Sequence, residues 1–215
     1  MTPPQQPSTT LLLARHGEVD AAWRGTVYGR LDVPLSELGL RQSALVAEAL
    51  GSRPLDAVVS SGLQRAEAAA ALVRAALIRA GQPALDREDH EGLLELDRGD
   101  WAGRKIAELA REEPAAMDAW RAARGAVAAP GGEDPSELAL RVRRALDELA
   151  GRHPGGTVAV VAHLWVVRAA VTCALGLEMK RSGRIGLPPG GLCELEWPVE
   201  GVASGRRPRL VRLGA

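Results

Sequence analysis

Residues 157–163 read TVAVVAH and residues 11–18 read LLLARHGE. Each is a short apolar run that passes without a spacer into charged residues and a histidine. A third run, DAVVS at 56–60, has the same character. None of the three alternates polar with apolar residues. Unbroken, Val-rich runs of this length predict strands buried on both faces, as in a parallel sheet. Working outward, the segments between them carry helical spacing. Leu63, Ala66, Ala70, Val73, Leu77 and Ala80 recur on one face, and Gly81 follows as a stop. Leu138, Val142, Ala145, Leu146 and Leu149 form a second apolar stripe. That stripe has a start signal, with Asp134 as N-cap, Pro135 at the first helical position and Glu137 three residues after the cap, and Gly151 ends it. A third helix is predicted from Trp165 to Leu175, stopped by Gly176.

Strands alternating with helices give an α/β class, with a mainly parallel central sheet flanked by helices. The charged, Ala-rich segment at about 96–132 interrupts the alternation and ends in Pro130-Gly131-Gly132. It is expected to be a helical insertion over one end of the sheet. Residues 192–197 and 209–213 are expected to add two strands, whose edges offer a surface for a homodimer. Residues 1–10, rich in Pro, Gln and Thr, are expected to be a disordered tail. Residues 11–215 then form a single domain.

The 215 residues are 46% hydrophobic and 25% charged, enough for a full core. Lys plus Arg number 27 and Asp plus Glu number 27. That balance leaves no global basic field to draw the chain to nucleic acid or anionic lipid, so anion binding must come from a local cluster. The two cysteines, Cys173 and Cys193, have no metal-ligand or disulfide spacing and sit in apolar surroundings. They read as small buried hydrophobes in a reducing, cytoplasmic setting. The N-terminus lacks the basic and apolar regions of a signal peptide, and no run of about 18 apolar residues occurs.

Doubly wound sheets bind ligands at the carboxyl ends of their strands. The first strand runs into Arg15-His16-Gly17-Glu18, and the 157–162 strand runs into His163. After the 56–60 strand come Ser61 and then Arg65, in the first turn of a helix. Two of the four histidines and two arginines can therefore share one pocket. Such a site, basic and without a carboxylate cluster for a metal, suits a dianionic phosphate.

The same residues carry a resemblance. ARHGE at 14–18, YGRLDVPLSELG at 28–39, SSGLQRAE at 60–67, LLELDRGDWAG at 93–103, PGGED at 130–134 and VVAHLWVVRA at 160–169 follow one another in the order of the histidine phosphatase superfamily, which includes the cofactor-dependent phosphoglycerate mutases. The resemblance implies a phosphoglycerate mutase-like three-layer sandwich and a metal-independent phosphomonoesterase acting through a phosphohistidine on a small phosphorylated metabolite. By it, His16 is the nucleophile, and its other ring nitrogen should donate to a backbone carbonyl. Arg15 and Arg65 clamp the phosphoryl oxygens, His163 is a further donor that is protonated beside phosphate, and Glu95 is the general acid. Gly17, Tyr28, Gly29 and Leu164 are implied to contact the substrate. No cofactor and no metal are implied, and phosphate or sulfate is expected to occupy the site.

Three departures stand out. Val19 and Ala22 replace residues that are often polar in the family, and the usually small residue after the second histidine is Leu164, followed by Trp165. Arg24, Arg30, Arg98 and Arg104 flank the site and read either as contacts for an anionic substrate tail or as ordinary surface arginines. His90 and His153 read as surface residues, and Trp101 and Trp120 as core or lid packing. The block at 28–39 is more like broad-range and α-ribazole phosphatases than like mutases. Two other readings stay open: a phosphoglycerate mutase, and a non-catalytic protein that binds a phosphate ligand.

Overall fold

The structure, a computed structural model, describes residues 7–214. Strand β1 (Ser8–Arg15) lies near the centre of a six-stranded sheet with β2 (Ala57–Ser60), β3 (Glu88–Asp89), β4 (Thr157–Ala162), β5 (Leu192–Pro198) and β6 (Arg209–Leu213). The order is β3-β2-β4-β1-β5-β6. The first four strands are mutually parallel, and β5 and β6 are antiparallel additions on one side, with β6 at the edge.

The apolar runs are buried on both faces because their side chains alternate between two cores. Leu12, Ala14, Val58, Ala159 and Val161 face α1 (Glu37–Gly51) and α2 (Gln64–Arg79). Leu11, Leu13, Val59, Val158 and Val160 face α5 (Pro135–Arg152) and α6 (Leu164–Leu175). The result is three layers, helices on sheet on helices, as the apolar patterning requires. Each fully buried Leu or Val in these layers contributes about 1.5–3 kcal/mol. The predicted start of α5 is present in full: Asp134 accepts from the Ser136 N–H, Glu137 reaches back to the Asp134 N–H, and Pro135 opens the helix. Helix α6 ends at Gly176, whose φ of 63° is the left-handed conformation that glycine adopts without a Cβ penalty.

Two expectations are corrected. Strand β1 begins at Ser8 rather than Leu11, because residues 8–10 pair with β5 and Thr9 Oγ1 donates to the Ala150 and His153 carbonyls. The rest of the expected tail, residues 1–6, lies outside the described residues. Helix α1 was not among the expected helices. It starts at Ser36, whose side chain accepts from the Gly39 N–H.

The insertion contributes α3 (Ile106–Glu112) and α4 (Pro114–Ala122). It has a small core of its own, in which Trp101, Leu109, Met117 and Ala129 pack on Val27 from the loop after β1. The insertion and that loop are therefore one packed unit beside the carboxyl ends of β1 and β4. Among the described residues, no helix is long and apolar enough to cross a membrane.

Candidate active site

Strands β2, β4 and β1 are neighbours, and their registers place Arg15 beside Ala162 and Val161 beside Ser60. The residues that leave these strands therefore meet at one end of the sheet. The His16 and His163 rings lie edge to face with centroids 5.1 Å apart.

The His16 tautomer is set by its partners. Nδ1 lies 2.7 Å from the Gly17 carbonyl oxygen, which can only accept, so Nδ1 carries the proton. Nε2 then holds the free lone pair, and Arg65 Nε donates to it across 3.3 Å. His16 is 3% exposed. Burial, followed by the Arg65 charge, pushes its pKa down to about 3, against the opposing effect of the Gly17 bond. Desolvation is thus a larger cause of the neutral, nucleophilic form than the neighbouring cations.

Arg65 is fully buried in the first turn of α2. Its Nη1 donates to the Leu31 carbonyl and its Nη2 to the Gly29 carbonyl, each at 2.7 Å. The loop before α1 thus aims the guanidinium at His16 and leaves one further N–H on each terminal nitrogen. Arg15 is held by the Leu187 carbonyl, while its Nε has no partner.

His163 shares a 2.7 Å hydrogen bond from Nε2 with Ser61 Oγ, and its buried Nδ1 has no partner. Burial, then the Arg65 charge, holds its pKa well below the usual value. Without an anion these surroundings favour the neutral ring; the protonated His163 of the expectation is one beside phosphate, where the anion offsets the charge. Ser61 was not among the predicted site residues, whereas its neighbour Ser60 bonds away from the site, to Asp89.

Two buried neutral histidines make the fold acid-sensitive. In the unfolded chain each binds a proton near pH 6.5, whereas His16 in the folded chain resists protonation down to about 3 and His163 is also depressed. The unfolded state thus holds more protons below pH 6.5, and stability falls as pH falls through that window. The slope should approach about 1.4 kcal/mol per pH unit for each histidine. Urea unfolding at pH 7, 6 and 5, above the carboxylate range, measures it, and His163→Gln should remove about half. A flat profile would show that both rings take up protons in the folded protein.

The Gly17 backbone is hydrogen-bonded on both sides. Its N–H donates to Ser43 of α1, and its carbonyl holds His16. A Cβ at Gly17 would lie 2.0 Å from the Gly39 carbonyl oxygen, and one at Gly39 would lie 1.9 Å from the Glu18 carbonyl oxygen. The unpredicted helix α1 thus sits directly on the loop after His16, and Gln42 fixes the Glu18 N–H.

Glu95 is 8% exposed, and one carboxylate oxygen accepts from the Leu96 N–H at 2.8 Å. Its backbone is pinned from α5. Arg141 donates to the Gly92 and Glu95 carbonyls and forms a two-point ion pair with Glu133. Glu133 also binds Arg30 and the Asp97 N–H. Glu133 and Arg141 were not predicted as site residues, although Glu133 lies in the PGGED block.

Arg15, Tyr28, Gly29, Glu95 and Leu164 line a cavity of about 160 Å³, together with Thr26, Arg98, Trp120 and Trp165. Leu164 therefore narrows the pocket, and Trp120 of α4 is a wall of it rather than packing alone. Val19 and Ala22 are not among its lining residues. Gly29 also holds Arg65, and its φ of 44° with Arg98 Cγ 2.8 Å from a built Cβ leaves no room for a side chain. Of the four flanking arginines, Arg24 pairs with Glu18, Arg30 with Asp97 and Glu133, and Arg104 with Glu112 and Glu113.

Residues 11–206 match the histidine phosphatase superfamily (branch 1). The chain belongs to this superfamily. A bifunctional protein of Mycobacterium tuberculosis is 34% identical over 199 residues, which are 92% of this chain and 53% of that protein. The chain spans about half the length of the first such relatives. Phosphoserine phosphatase 1 of Hydrogenobacter thermophilus is 32% identical over 171 residues, 80% of this chain and 78% of that enzyme. The native structure of a mycobacterial glucosyl-3-phosphoglycerate phosphatase has a TM-score of 0.80 and 30% identity, covering 97% of this chain and 99% of that one. That phosphatase has also been solved with VO3 and with inorganic phosphate.

Proposed function

We propose that the chain is a phosphomonoesterase that moves a phosphoryl group from a small phosphorylated metabolite onto His16 Nε2 and then to water. The observation that carries this reading is the state of His16: a buried, neutral imidazole with its proton fixed on Nδ1 and its lone pair facing Arg65. A hydrogen-bonded structural histidine has no need of a guanidinium on its lone pair.

In the first step Nε2 attacks phosphorus, the N–P bond forms and the P–O bond to the alcohol breaks. Glu95 gives the departing alkoxide its proton. In the second step the Glu95 carboxylate takes a proton from water, the water oxygen attacks phosphorus, and the N–P bond breaks to release inorganic phosphate. Arg15 and Arg65 hold the non-bridging oxygens in line and offset their charge, with His163 as a further donor once the dianion is present. The chain's own cations supply the positive charge, so the route calls for neither metal nor cofactor. The named phosphatases among the relatives, and the VO3 and phosphate complexes of one of them, support the reading. The unpaired thiols Cys173 and Cys193 support a reducing, cytoplasmic setting.

Rapid quenching with 32P-labelled p-nitrophenyl phosphate tests the reading. Label should appear on His16 as an acid-labile, alkali-stable adduct that decays to phosphate in water. Label that leaves only when a second alcohol is supplied would favour a mutase. No label and no phosphate release would favour a binding protein.

A further inference from the structure

Arg98 is 7% exposed and lines the cavity, yet among the described residues its side chain makes no hydrogen bond or ion pair, and its Nη1 is a buried atom without a partner. Its guanidinium instead lies 5.0 Å from the Trp165 ring centroid and 5.8 Å from that of Trp120. Three other cavity residues also keep buried polar atoms without partners, Arg15 Nε, Trp120 Nε1 and Thr26 Oγ1. These groups come from four separate segments, the end of β1, the loop after it, the turn after Glu95 and helix α4. Arg and Trp can only donate, and Thr can donate. Apart from the Glu95 carboxylate, the polar groups left free in the cavity are donors with a desolvated cation among them, and such a set selects an acceptor-only anion. The other flanking arginines are already ion-paired, which leaves Arg98 as the one directed at a ligand.

We propose that Arg98, supported by Trp120 and Thr26, is the specificity-determining residue for a carboxylate carried on the leaving group of the substrate. This rests on the phosphatase reading, and it narrows the substrate to a short phosphorylated carboxylic acid. The size agrees: about 160 Å³ is well under the roughly 300–1,000 Å³ of drug-sized ligand sites and admits only a few carbons. The geometry also agrees. The cavity contains both Arg15 and Glu95, so a leaving group released beside Glu95 extends toward Arg98 within the same enclosure. The planar fork between two indole rings is suited to a planar carboxylate.

The test compares 3-phosphoglycerate with glycerol phosphate, which differ only in a carboxylate against a hydroxymethyl group, and includes p-nitrophenyl phosphate. In Arg98→Gln, kcat/KM for 3-phosphoglycerate should fall about 10–100-fold, mostly through KM, while the other two esters change less than about threefold. Arg98→Lys should restore part of the loss. An equal loss on all three esters would assign Arg98 to the Glu95 environment or to folding, and no loss would remove it from recognition; either result overturns the proposal. If the wild-type protein hydrolyses none of the three, the phosphatase reading fails separately, and calorimetry decides the subsite. Tighter binding of 3-phosphoglycerate than of glycerol phosphate, abolished in Arg98→Gln, would sustain it, and equal binding would end it.

Discussion

His16→Ala is expected to lower turnover by about 10⁴-fold or more on every phosphomonoester, because it removes the atom proposed to accept the phosphoryl group. The side chain is buried, so the substitution also leaves a small cavity, and the variant's unfolding midpoint must be measured beside its kinetics. Two results distinguish loss of the nucleophile from loss of the fold. The variant should retain a cooperative unfolding transition at pH 7. Its stability should also depend less on pH between 6.5 and 5, since one of the two buried neutral rings is gone. Substantial hydrolysis by a folded His16→Ala protein would eliminate the phosphohistidine route, whatever the family of the chain.

Glu95→Gln is the second large effect, expected to slow hydrolysis of alkyl phosphates by about 10²–10⁴-fold. The amide oxygen of glutamine can still accept from the Leu96 N–H, and the backbone remains pinned by Arg141 and Arg30, so the site should keep its shape. What is lost is a proton that can be moved. The two chemical steps should therefore respond differently to the leaving group. With p-nitrophenyl phosphate, whose leaving group needs little help from an acid, the first step should stay near the wild-type rate. The second step still needs a base for water, so phosphoenzyme should accumulate. A presteady-state burst of nitrophenolate in Glu95→Gln, absent with alkyl esters, is the expected signature. Equal slowing with both ester classes and no burst would move the acid–base role to another residue.

Both effects depend on groups that the sequence brought out for different reasons. His16, His163 and Arg65 stood out because each follows a buried strand within a few residues, and parallel strands in one sheet end together. Glu95 follows no strand. Its place in the cavity comes from a turn held by Arg141 and Glu133, which lie 46 and 38 residues further along the chain. The substrate contacts expected at Tyr28, Gly29 and Leu164 do line the cavity. Gly17 does not line it, and its backbone is hydrogen-bonded to His16 and Ser43.

The sequence by itself determined the three buried strands, the start of α5, the end of α6, and the convergence of Arg15, His16, Arg65 and His163; α5 runs past the expected stop at Gly151 to Arg152. These follow from local rules: an apolar run must be covered, Asp-Pro-x-Glu starts a helix, and glycine accepts the left-handed turn. Helix α1 carries a short apolar face in its second half, Val46, Ala47 and Leu50, while the face its first half turns to the site is Gly39, Gln42 and Ser43, which serve close approach and hydrogen bonds rather than apolar area. Only the tertiary structure decided the tautomer of His16, the aim of Arg65 and the isolation of Arg98. The first two depend on the carbonyls of Gly17, Gly29 and Leu31, and every residue has a carbonyl, so no side-chain pattern marks the ones that matter. Arg98 differs from Arg24, Arg30 and Arg104 in being buried against two indole rings with no carboxylate paired to it, a property of the space around it and not of its place in the chain.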